Sequence, residues 1–256
     1  MGGISMPNTA TERSTRIEAV DIFRGIGIAL MIAYHFSWDL TNFGYADFAL
    51  FTDPAWLFFR TLIVGMFLFA SGVSHALIRR APIDGMRYVN RIGVIAGAAI
   101  LVSLGTGFAF PNGFVFFGIL HLLAAASILI LPFARLPWIA NVVAGIAVIW
   151  IGETVRLDLF NAPALVWLGL ATAPPFSVDY VPVFPWFGGV LLGLAAGQYM
   201  IAHDTTLTAL ARWQPADPVS RLLQWAGRHT LIIYLLHQPI LFGSVWAVYR
   251  MSGAGF

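Results

Sequence analysis

The chain opens on a polar stretch, MGGISMPNTATERSTR, and then alternates long apolar runs with short polar ones. Seven runs approach the roughly 20 residues that a helix rising about 1.5 Å per residue needs to cross a hydrocarbon core of about 30 Å. They cover approximately 18–38, 56–78, 92–110, 114–132, 138–151, 183–202 and 229–249. The third and fourth are joined by FPNG, which must turn within a few residues and so predicts an antiparallel helical pair. ALVWLGLA (164–171) is too short to span and reads as a re-entrant or interfacial piece. Gly189, Gly193 and Gly197 recur every fourth residue, and GVIAG at 93–97 repeats the spacing. Both predict helix faces where a neighbouring backbone comes close. The expected fold is therefore all-α, a polytopic integral membrane bundle of about seven transmembrane helices plus the short segment. Residues 17–256 form one transmembrane domain behind a mobile cytoplasmic tail of residues 1–16. That tail is no cleavable signal, because the apolar run after it carries Asp21 and Arg24.

Composition sets the class. Hydrophobic residues make up 59% of the 256 and charged residues only 10%, against about 25% charged in a soluble globule, and the mean hydropathy is +0.81. There is no cysteine, so disulfides and thiolate metal sites are excluded. All 14 basic residues are arginines, and their distribution sets an orientation. Arg13 and Arg16 precede the first run, Arg79, Arg80, Arg87 and Arg91 lie between the second and third, Arg135 follows the fourth, and Arg212, Arg221 and Arg228 follow the sixth. The positive-inside rule makes those segments cytoplasmic. Alternate loops carry mainly acids, Asp47 and Asp53 in one, Glu153, Asp158 and Asp179 with Arg156 in another. The N-terminus is thus expected inside and the C-terminus outside, and no nucleic-acid partner is expected.

The first run, DIFRGIGIALMIAYHFSWDL, holds Asp21, Arg24, His35 and Asp39. At about 100° per residue the four share an arc of about 60°, and the outer two lie about 27 Å apart along the axis. Each charge facing lipid costs at least about 2.5–3.5 kcal/mol at the bilayer centre, so the stripe must face protein or a wet cavity. Two readings remain open: two separate ion pairs, Asp21 with Arg24 and His35 with Asp39, or a continuous polar route. In the second, Asp39 fixes the His35 tautomer and His35 acts as general base.

Other intramembrane polar groups weigh less. Arg60 reads as snorkelling near the outer boundary, with Ser71, Ser74 and His75 roughly on its face. His121 has no charged neighbour in its own helix. His237 and Gln238 precede Pro239, whose ring frees a backbone carbonyl that either side chain could satisfy. Asp179 stands in an aromatic, proline-rich entry to the sixth run, suited to holding a polar acceptor.

Four segments in order, RIEAVDIFRGIGIALMIAYHFSWDL, FGILHLLAAASIL, SVDYVPVFPWFGGVLLG and GRHTLIIYLLHQPIL, together resemble the bacterial members of the heparan-alpha-glucosaminide N-acetyltransferase catalytic-domain family. More distantly, Arg24 and His35 as R-x10-H and the YLLHQP ending are similar to membrane acyltransferases that modify bacterial surface polysaccharides. The resemblance implies transfer of an acyl group, usually acetyl, from cytosolic acetyl-CoA or another acyl-CoA to an envelope glycan or amino-sugar acceptor across the bacterial inner membrane, without a metal. It implies Arg24 and His35 as functional residues. The lysosomal enzyme carries its catalytic histidine after the first shared helix, whereas ADFALFTDPAWLFF here has none, so the resemblance does not carry over the lysosomal substrate, and His35 is the residue expected to hold that role.

The expected catalytic residues are His35 and Asp39. The donor-binding set is Arg24, Asp21, Arg79, Arg80, Arg91 and Arg228, with guanidiniums suited to bidentate phosphate contacts. His121, Asp179, His237 and Gln238 are acceptor or supporting residues. The lipid bilayer is a partner, and a homodimer is a further candidate assembly. Competing classes are a transporter or proton-coupled channel using the Asp21, Arg24, His35 and Asp39 stripe, and a non-catalytic scaffold or sensor. No pair of broken helices in corresponding halves points to a transporter.

Overall fold

A computed structural model describes residues 17–78 and 84–252. Arg13, Arg16, Arg79, Arg80 and the tail 1–16 lie outside the described residues. Among the described residues there are nine α-helices: α1 (Glu18–Asn42), α2 (Pro54–Ile78), α3 (Gly85–Ala109), α4 (Ile119–Phe133), α5 (Trp138–Thr154), α6 (Val183–Ala202), α7 (Asp204–Arg212), α8 (Pro218–Arg228) and α9 (Thr230–Met251). α1 to α6 and α9 correspond to the seven apolar runs. Five of these, α1, α2, α3, α6 and α9, are long and apolar enough to cross a bilayer. α4 and α5 are shorter. The chain is a helical membrane bundle.

The boundaries shift for local reasons. α3 begins at 85 rather than 92 because the Asp84 side chain accepts from the Met86 and Arg87 N–H groups, an N-cap that the apolar count does not register. α4 begins at 119 rather than 114. The residues before it form a short 3-10 turn, Pro111–Gly113, and an extended stretch tied to the α5–α6 connection by Val178 N–H to Gly113 O (2.9 Å) and Val181 N–H to Phe117 O (3.0 Å). The 164–171 segment does not span. It holds the 3-10 turn Val166–Leu168, packed by Tyr180, whose hydroxyl donates to Val166 O at 2.6 Å.

α6 is the centre of the bundle, with Val190, Leu191 and Leu194 fully buried. A Cβ on Gly193 would meet the Phe69 carbonyl of α2, and one on Gly72 would meet the Val190 carbonyl of α6. Gly189 and Gly197 also face α2, at Leu68 and Ala76, as their spacing predicts. The matching expectation for GVIAG is not met: among the described residues nothing lies within 4 Å of where a Cβ would stand on Gly93 or Gly97. α3 packs chiefly on α4, which leaves that face of α3 outward.

The region 203–228, read from sequence only as a basic inner segment, forms two helices. α8 lies along α1. A Cβ on Gly25 would run into the Leu223 carbonyl and one on Gly227 into the Asp21 carbonyl, so the two helices are antiparallel with their backbones in contact. α7 caps the same end of the bundle, with Leu207 buried against Ile17, Val73 and Leu77.

Candidate functional site

The polar stripe of α1 faces protein along its whole length. Asp21 is 2% exposed and Asp39 0%, and both Arg24 and His35 are half-buried. Its two ends lie in different surroundings.

At the N-terminal end of α1, Arg24 donates to Asp21 at 3.0 Å and to the Ser74 hydroxyl on α2. Arg228, at the end of α8, reaches the same Asp21 at 3.4 Å and Glu18 at 3.7 Å. The expected Asp21–Arg24 pair therefore forms, with a second guanidinium added because Gly227 lets α8 press against α1. These groups border a cavity of about 1140 Å³, large for a small-molecule site. Its opposite wall is α3, which contributes Arg87, Arg91, Asn90 and Tyr88. Arg87 is also paired with Asp84 at 3.3 Å. The cavity thus carries four guanidiniums, Arg24, Arg87, Arg91 and Arg228, against the two carboxylates Asp21 and Asp84, a lining that attracts a multiply charged anion. Further in it turns apolar, with Phe67, Ile119, Leu120 and Leu123, and it reaches Tyr234 of α9.

Beyond Tyr234, at the C-terminal half of α1, lies a second cluster. The rings of His35 and His237 meet edge to face, with centroids 4.7 Å apart. Gln238 donates to Asp39 at 2.8 Å. His35 does not bond to Asp39. Its Nδ1 lies 2.9 Å from the Met31 carbonyl one turn back, so a backbone group, and not Asp39, fixes its tautomer. His237 does not satisfy the Leu235 carbonyl four residues before Pro239 either; its Nδ1 lies 2.6 Å from the Tyr234 carbonyl. The buried atoms Tyr34 Oη, Asp39 Oδ2, His237 Nε2 and Gln238 Oε1 have no hydrogen-bond partner among the described residues. Four such atoms in one region are unusual, since buried polar atoms are nearly always matched.

Asp179 and His121 sit between these two ends and shape the start of α4. Asp179 accepts from the Ile119 N–H at 3.1 Å and from the Tyr234 hydroxyl at 3.4 Å, a helix-start carboxylate of the kind that balances free N–H groups. Burial pushes its carboxyl above the ordinary aspartate value, opposed by these two hydrogen bonds and by the charges of His121 and Arg60. His121 Nδ1 accepts from the Gly118 N–H at 3.2 Å, and Nε2 lies 3.2 Å from the Ser103 hydroxyl. Both ring nitrogens are engaged in holding the turn before α4. Arg60 is exposed, and it is Arg24 that engages Ser74.

Two residues of the site are missing from the sequence reading. Tyr234 lines the cavity, holds Asp179 and carries the carbonyl that orients His237. Its spacing of three from His237 puts the two on one helix face, a signal present in YLLHQP but masked by the apolar residues around it. Tyr34, adjacent to His35, was hidden for the same reason. Among the described residues no group of three or more His, Asp or Glu side chains is arranged to hold a metal ion.

A bundle of apolar helices enclosing an arginine-lined cavity and a buried histidine cluster defines a polytopic membrane protein with an internal polar site. Its residues 16–239 match the model of the heparan-alpha-glucosaminide N-acetyltransferase catalytic family, and the chain belongs to that family. It is, in the general sense that the family carries, a transmembrane acetyltransferase. No curated protein and no solved structure was found to match it.

Proposed function

We propose that the protein takes an acyl group, acetyl in the first instance, from cytosolic acyl-CoA in the arginine-lined cavity and delivers it to a sugar or amino-sugar hydroxyl or amine near His35. The cavity carries this reading. It is the right size and sign for a phosphate-bearing thioester, lined by the guanidiniums of Arg24, Arg87, Arg91 and Arg228, a side-chain type that makes charge-assisted contacts to phosphate oxygens. Its inner end is apolar, suited to the pantetheine arm and acyl group. Tyr234 closes that end, and His237 follows it on α9 by three residues, about 4.5 Å of rise.

The arginine-rich end faces the cytoplasm under the positive-inside rule, which suits a cytosolic donor in a bacterial inner membrane. An envelope glycan is the acceptor class that the opposite end suits. His35, with its Nδ1 hydrogen on the Met31 carbonyl, offers Nε2 as the base toward the acceptor.

Acetyl-CoA titrated into purified protein should bind, and Arg24→Ala should weaken that binding about 10-fold or more, the loss of a charge-assisted hydrogen bond worth about 1.5–3 kcal/mol. His35→Ala should bind the donor normally and transfer nothing. Binding untouched by Arg24→Ala, or proton flux through proteoliposomes with no acyl transfer, contradicts the reading and favours a transporter.

A further inference from the structure

The partner expected for His35 was Asp39, yet the side chain against its ring is His237. The two meet edge to face at 4.7 Å with an interplanar angle of 82°. Each ring sets its own tautomer on a backbone carbonyl, His35 Nδ1 on Met31 O at 2.9 Å and His237 Nδ1 on Tyr234 O at 2.6 Å. A carbonyl oxygen can only accept, so Nδ1 carries the hydrogen in both rings, and in each neutral ring Nε2 is a bare lone pair. His237 is only 8% exposed, and its Nε2 has no hydrogen-bond partner among the described residues.

Asp39 is differently engaged. One oxygen takes the Gln238 amide at 2.8 Å, which ties α1 to α9 beside the histidines. The remaining groups around the pair are the Tyr34 ring, 5.8 Å from His35, and the Tyr234 ring, 5.6 Å from His237. The Tyr234 hydroxyl leads on to Asp179, whose field also includes His121 and Arg60. None of these is hydrogen-bonded to either Nε2.

We propose that His35 and His237 hold one proton between them: the hydrogen that His35 Nε2 gains is shared, in a three-centre contact, between the acceptor atom that gave it and the bare Nε2 of His237. This rests on the acyl-transfer reading above. In the reaction the acceptor oxygen or nitrogen forms a bond to the acyl carbon while its proton passes to His35 Nε2. The carbon–sulfur bond breaks, and the proton returns from His35 to the CoA thiolate. His237 touches neither reactant. It is a positioning residue that stabilises the imidazolium between the two proton movements, the role the sequence assigned to Asp39.

The test compares His237→Phe, His237→Gln, His237→Gly and Asp39→Asn in the full chain, each checked for thermal stability. His237→Phe and His237→Gln should lower kcat about 100-fold, within the range of general acid–base effects, and leave the donor KM nearly unchanged. Free imidazole should restore His237→Gly, which a merely structural loss does not allow. Asp39→Asn should be the milder change. The reverse order, with Asp39→Asn abolishing turnover and the His237 variants near wild type, overturns the pairing. A second readout does not need turnover: in protein with 15N-labelled histidine at mildly acidic pH, a through-hydrogen-bond coupling should link ring nitrogens of His35 and His237, and vanish in His237→Phe. Its absence in the wild type overturns the pairing. Its presence in a protein that transfers no acyl group supports the pairing and fails the acyl-transfer reading alone.

Discussion

Asp179 bears two loads at once, serving as the helix-start acceptor for α4 and as the acceptor for Tyr234 at the inner end of the cavity. Burial nevertheless makes its ionised form less favourable in the fold than in the unfolded chain, so its carboxyl stands above the ordinary aspartate value. The sign follows from linkage. A raised folded-state value means the group favours the fold below the ordinary carboxylate range, and that contribution is lost as pH rises through the folded-state value. The thermal midpoint of the detergent-solubilised wild type, measured against Asp179→Asn, should therefore fall across that window, because the amide keeps an acceptor for Ile119 without titrating. A difference that grows in favour of the wild type as pH rises contradicts this account of Asp179.

The contact of α1 with α8 is the element on which the cavity's mouth depends. Gly25 and Gly227 let the two backbones touch, and that approach brings Arg228 onto Asp21. Gly227→Ala puts a methyl into the Asp21 carbonyl, and overpacking of this kind costs about 1–3 kcal/mol. The variant should lose thermal stability by that amount and bind the donor more weakly, whereas Gly93→Ala, on the open face of α3, should do neither. Equal losses at both positions contradict the packing described. The helices themselves were legible because apolar length alone marks a span, and the α1 stripe was legible because four ionisable residues share one arc. α8 was not. PVSRLLQWAGR is too polar to register as a span, and only its contact with α1 shows that Gly227 is a packing residue. The His35–His237 contact was illegible for a related reason: periodicity assigns a residue to a face of its own helix and says nothing of which helix comes to meet it.

At the scale of the whole molecule the fold separates two kinds of polar chemistry along α1. One end gathers guanidiniums around a large cavity, the other gathers imidazole, carboxyl, amide and phenol groups in a buried cluster, and Tyr234 stands between them. A binding protein needs only one such site, and a transferase working across a membrane needs two with a short path between them. Sealed proteoliposomes with the arginine-rich end of the protein facing one compartment test this directly. With labelled acetyl-CoA supplied only to that compartment and an amino sugar only to the other, the label should appear on the sugar, and His35→Ala should stop it. Label that reaches only acceptors sharing a compartment with the donor contradicts transfer across the bilayer.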